Sequence, residues 1–100
     1  MEKFYTKKLI NKKVCKVAEM GEPIEFTLKD APPIKAHIYQ ADEDMWFVVE
    51  DTTGTSINRE YETRCQAVKN VKDNLENIYK CMNTDIYRKN VKEFEELPIS

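Results

Sequence analysis

The hydrophobic period of this chain changes once, near Thr63, and that change restricts it to a run of strands followed by helices. Before Thr63 the apolar residues alternate. Ile24, Phe26 and Leu28 are interleaved with polar residues, and Ile34, Ala36 and Ile38 repeat the pattern. After Thr63 the stripe Cys65, Val68, Val71, Leu75, Ile78, Met82 steps by three and four, which is helical spacing.

Local punctuation supports both halves. Asp30-Ala31-Pro32-Pro33 interrupts the strands, since proline removes a ladder donor and forces extended geometry on its neighbour. Ala41-Asp42-Glu43-Asp44 is a short acidic turn, and Met45–Val49 is apolar on both parities, as in a strand covered on both faces, with Trp46 in the core. Asp51-Thr52-Thr53-Gly54 is a turn with glycine at a positive-φ position, and 56–61 returns as a strand with Ile57 and Tyr61 inward. Val14–Ala18 predicts a further strand, whereas Phe4–Ile10 fits a strand or a short helix.

Thr63 and Gln66 have the spacing of a capping box, and the stripe from Cys65 predicts one long helix. Continued past Met82 the stripe meets Asp85 and Lys89, so Asn83-Thr84 is read as a stop and a new cap. A shorter second helix then carries Tyr87, Val91, Phe94 and Leu97 up to Pro98. The expectation is therefore a single α+β domain over residues 1–100. It has an antiparallel sheet of four to five strands in 1–62 and one long and one shorter helix in 63–97.

Several function classes lack their residues. The N-terminus has no apolar run of signal-peptide length, and no span approaches the ~20 apolar residues of a membrane helix. Three cysteines without a C-x-x-C pair fit reduced thiols, with Cys65 and Cys81 buried on the helical stripe; a cytoplasmic protein is expected. Neither G-x-G-x-x-G nor G-x-x-x-x-G-K occurs, so no nucleotide cofactor is expected. Cys15, His37, Cys65 and Cys81 are too scattered to suggest a zinc site, and the acids at 42–44 lack a calcium-loop pattern. His37 falls on the polar side of its strand with Lys35 and Tyr39 and is expected to be exposed. With no local base–nucleophile pair, a non-catalytic role is the reading, and an enzyme or small-molecule binder using His37 or a cysteine is an alternative.

Charge carries more information. The formal net charge is −2, but residues 21–62 hold ten acids against three bases, whereas 63–92 hold seven bases against three acids. Clustered charge steers a partner of opposite sign. The candidate partner-binding residues are Asp42, Glu43 and Asp44 in the acidic turn, with Glu50 and Asp51 at the next one, offered to a protein with a basic groove. The competing set is Lys7, Lys8, Lys12 and Lys13, a basic arm for nucleic-acid phosphates. Tyr5, Tyr39 and Tyr61 are expected near the charged faces, where tyrosine favours interfaces.

Trp46-Phe47-Val48-Val49-Glu50, Thr53-Gly54, Ile57, Thr63 and Ala67 form a hairpin-into-helix pattern. It resembles short accessory proteins of bacteriophages and mobile elements, over about a fifth of the chain. HicB-type antitoxin domains share the sheet-then-helix outline, though this chain lacks their P-G-C-like turn. The resemblance implies a small protein that binds and blocks a host defence or nucleic-acid-handling factor in the host cytoplasm, in the manner of anti-CRISPR inhibitors.

Overall fold

The first two strands are joined by the tightest connection a hairpin allows. The computed structural model describes residues 1–57 and 59–100. In it β1 (Glu2–Ile10) pairs antiparallel with β2 (Lys13–Phe26), and Ile10 opposes Lys13. Asn11 and Lys12 form the two-residue loop with φ of 51° and 66°. Two left-handed residues match the right-handed twist of the flanking strands, and asparagine is among the residues that tolerate this region best.

The 14-residue β2 is one strand, although the sequence suggests two separate ones around 14–18 and 24–28. It changes partner midway: Gly21 is the last residue opposite β1, and Glu22 is the first opposite β3 (Ile34–Asp42). A Cβ on Gly21 would lie 2.7 Å from the Phe4 ring and 2.8 Å from the Ile38 carbonyl oxygen. Glycine therefore permits the bend at which one strand serves two pairings. β4 (Met45–Glu50) and a two-residue β5 (Thr55–Ser56) complete the antiparallel order β1-β2-β3-β4-β5. The strand expected over 56–61 is shorter than that; Asn58 lies outside the described residues, and Tyr61 makes a separate bridge to Trp46.

The sheet curls until its first strand meets its last turn. Gly54 O accepts hydrogen bonds from Lys7 N (2.7 Å) and Thr6 Oγ1 (3.0 Å). The curl buries the middle strands on both faces. One face carries Phe26, Ile34, Ala36, Ile38 and Val48, packed on Ala67 and Val71 of the helices; Trp46 is half-buried against this cluster. The other carries Tyr39 and Val49, covered by Phe4 of β1. Full burial of Ile34, Ile38, Val48 and Val71 contributes about 1.5–3 kcal/mol each.

Among the described residues three helices follow rather than two. Thr63 Oγ1 accepts from Gln66 N (3.1 Å) and starts α1 (Arg64–Asp73). The expected long helix breaks at Asn74, whose side-chain amide donates to Asn70 O (2.8 Å) while its backbone N–H turns to Val71 O. The side chain takes the carbonyl that the helix ladder would have used, and α2 (Leu75–Met82) begins anew. Cys65 lies off the buried Ala67–Val71 face, and Cys65 and Cys81 are exposed; only Cys15 is buried. Thr84 caps α3 (Asp85–Glu96) as expected, accepting from Tyr87 N at 3.1 Å. Beyond α3, Ile99 bridges in parallel to Lys16, filling the edge of β2 that β3 does not reach. Among the described residues no helix is long and apolar enough to cross a membrane.

Candidate functional site

The acidic turn does not stand alone. Asp42 Oδ1 accepts from Glu43 N (2.8 Å) and the Gln40 amide donates to Glu43 O (2.9 Å), so short local bonds hold the β3–β4 turn. Next to it, Trp46 and Tyr61 exchange backbone hydrogen bonds at 2.8 and 3.0 Å, which lays residues 59–62 beside the start of β4. The turn, this segment and α1 enclose a cleft of about 590 Å³, whose walls include Asp44, Glu60, Glu62, Arg59 and Lys69.

The two cations of the cleft are already engaged. Lys69 pairs with Asp73 one turn along α1 (2.6 Å), and the Arg59 guanidinium sits over the Tyr61 ring at 5.5 Å. None of Asp44, Glu60 and Glu62 forms an ion pair among the described residues. The cleft thus concentrates negative charge contributed by two separate stretches of chain.

The other predicted carboxylates lie elsewhere. β4 separates Glu50 and Asp51 from the acidic turn by about 17 Å, and both are used internally. Glu50 is buried and accepts hydrogen bonds from Thr52, Thr53 and Tyr87. Asp51 Oδ1 lies 2.7 Å from His37 Nδ1.

His37 departs furthest from expectation. It is buried, with Nε2 2.7 Å from Glu2 Oε1 and its ring stacked on Phe4 at 4.6 Å. Burial alone would lower its pKa, but hydrogen bonds to Asp51 and Glu2, reinforced by their charge, outweigh that and raise it. No nucleophile joins this group in a hydrogen bond among the described residues, and no three His, Cys, Asp or Glu side chains there converge on a possible metal position. The arrangement therefore reads as a structural tie between β1, β3 and the 51–54 turn. Tyr39 is likewise buried, between Phe4 and Phe47, rather than at the surface; Tyr5 and Tyr61 are half-buried.

The four lysines of the alternative site do not form an arm. Lys7 and Lys8 point to opposite faces of β1, Lys8 is paired to Glu19 at 2.7 Å, and Lys12 and Lys13 sit at the hairpin turn. The hydrogen bond and charge of Glu19 raise the Lys8 pKa against a smaller effect of burial.

Sequence reasoning found Asp42, Glu43 and Asp44 but left out Glu60 and Glu62. Their signal was present: both flank the inward Tyr61 and so face outward beside it. No protein-family model, no curated protein and no solved structure matches the chain.

Proposed function

We propose that the chain is a non-catalytic protein-binding module that receives a basic segment of a partner in the cleft between the β3–β4 turn and α1. One observation carries the reading: Asp44, Glu60 and Glu62, each without an ion-pair partner among the described residues, surround one cleft. Asp42 and Glu43 extend the negative field beyond its rim. Such a field speeds encounter with a cationic partner and weakens as salt is added.

A phage-encoded inhibitor acting in the host cytoplasm on a defence or nucleic-acid-handling protein is the biological setting this reading favours, because a basic nucleic-acid groove is a natural complement to the cleft. The alternative, direct nucleic-acid binding through Lys7, Lys8, Lys12 and Lys13, has less support, since these lysines are divided between two strand faces and a turn.

The test starts with capture of a partner from bacterial lysate at low and high salt. Association kinetics of the purified partner are then measured against the unaltered chain and the Asp44→Lys/Glu60→Lys/Glu62→Lys variant. The expected result is a fall in association rate of about tenfold or more at low salt, shrinking as salt rises. An unchanged rate rejects the cleft as the docking surface. Retention of the chain on DNA or RNA, abolished by Lys7→Glu with Lys12→Glu and Lys13→Glu, transfers support to the alternative.

A further inference from the structure

A second cavity, of about 250 Å³, lies between the β4–β5 turn and the corner joining α2 to α3, and it shares no lining residue with the acidic cleft. Ile57, Ile78 and Met82 supply apolar wall, Cys81 stands at it with an exposed thiol, and Glu50 and Tyr87 face it. Glu50 is the one charged residue among the described residues that line it, and only 6% of its surface is exposed.

The donors that reach Glu50 are neutral. Thr52 N (2.6 Å) and the Thr52 hydroxyl serve Oε2, whereas the Thr53 hydroxyl (2.9 Å) and the Tyr87 hydroxyl (3.1 Å) serve Oε1. No lysine, arginine or histidine pairs with it among the described residues. A buried carboxylate held only by neutral dipoles retains its attraction for a cation.

One of these donors is shared. The Tyr87 hydroxyl has a single proton and two acceptors, Glu50 Oε1 at 3.1 Å and Thr52 Oγ1 at 2.7 Å. Burial pushes the phenol pKa up, so it stays a donor at neutral pH. When its proton turns to the nearer Thr52 oxygen, a lone pair of Glu50 Oε1 is released on the cavity side. We propose that this cavity binds a small organic ammonium, with Glu50 as counter-ion and the isoleucine and methionine side chains around its hydrocarbon. The size, just under the usual range of ligand pockets, suits a C4 to C7 amine.

The experiment uses the whole chain. n-Butylammonium and benzylammonium chlorides are titrated against their neutral counterparts n-butanol and benzyl alcohol at constant ionic strength, with methyl NMR shifts of Ile57, Ile78 and Met82 as the readout. Saturable shifts at these methyls, with little change at the core Ile34, are expected for the ammonium ions, and about tenfold weaker binding for the alcohols. In parallel, ammonium occupancy should slow alkylation of Cys81 and leave that of Cys65 unchanged. Glu50→Gln should erase the preference for ammonium over alcohol, whereas Tyr87→Phe should preserve it. Equal binding of alcohol and ammonium, or no saturable shift at the three methyls, overturns the proposal. Should Glu50→Gln fail to fold, the ammonium–alcohol comparison in the unaltered protein decides the matter by itself.

Discussion

Gly54→Ala is expected to destabilise the protein by about 3 kcal/mol, a fall in Tm of about 15 °C for a domain of this size. Two costs combine. Gly54 has φ of 66°, where a residue with a Cβ pays about 1–2 kcal/mol. The added Cβ would also lie 2.2 Å from Phe94 Cε1 and 2.4 Å from Cζ, so the buried ring of α3 must move. Overpacking of that kind costs about 1–3 kcal/mol. Lys16 Nζ rests 5.0 Å from the same ring centroid, so a displaced Phe94 also loosens the contact with β2. Urea and thermal unfolding followed by circular dichroism measure the loss. A double-mutant cycle separates its parts: with Phe94→Leu in place, the cost of Gly54→Ala should shrink toward the backbone contribution alone. A loss below about 1 kcal/mol in the single variant would show that the turn and α3 are not packed as described.

The second large effect concerns His37, the single histidine of the chain. Both ring nitrogens lie 2.7 Å from a carboxylate oxygen, and an ionised carboxylate only accepts, so the two contacts are satisfied together by the imidazolium. Because the folded-state pKa is raised, the stabilisation is complete below the ordinary value of about 6.5 and is lost as pH rises through the folded value. Stability should therefore be higher at pH 6 than at pH 8.5. His37→Leu, which keeps an apolar contact for Phe4, should lose about 2–3 kcal/mol at pH 6 and flatten the profile between those values. Glu2 is 57% exposed and Asp51 33%, so added salt should weaken the Glu2 contact more. An NMR titration of the imidazole protons that places its pKa below 6.5 would falsify this account.

What could be read from sequence was what short-range chemistry decides. Thr63 and Thr84 mark helix starts because a cap is a bond between residues three apart. Asp30–Pro33 and Gly54 mark turns because their constraint lies in their own dihedrals. The helix break was legible in principle, since a mid-helix asparagine can turn its amide onto the preceding turn, as Asn74 does. The continuity of β2 was not, because Gly21-Glu22-Pro23 has the composition of a loop and only β1 and β3, paired on either side of the bend, keep it extended. Nor was the burial of His37, since alternation assigns it to a polar face and does not foresee β1 folding across that face. The site divides in the same way. The charges of 42–44 are visible locally, whereas the addition of Glu60 and Glu62 depends on the Trp46–Tyr61 bridge, and the withdrawal of Glu50 and Asp51 depends on Tyr87 and His37.

The order of the sheet has a bearing on how the chain acquires its shape. Every strand pairs with its neighbour in sequence, so the meander can zip from hairpin to hairpin with only short loops to close. The links that draw its ends inward span much more chain, 48 residues between Thr6 and Gly54 and 79 between Lys16 and Glu95. Contacts of that reach are expected to form late in folding, in which case loosening them speeds unfolding more than it slows folding. The clasp is then the weak seam of an otherwise locally assembled structure. Amide hydrogens of Lys7 and Lys16, bonded to Gly54 O and Pro98 O, should exchange with solvent through partial openings that leave those of the central strands β3 and β4 protected.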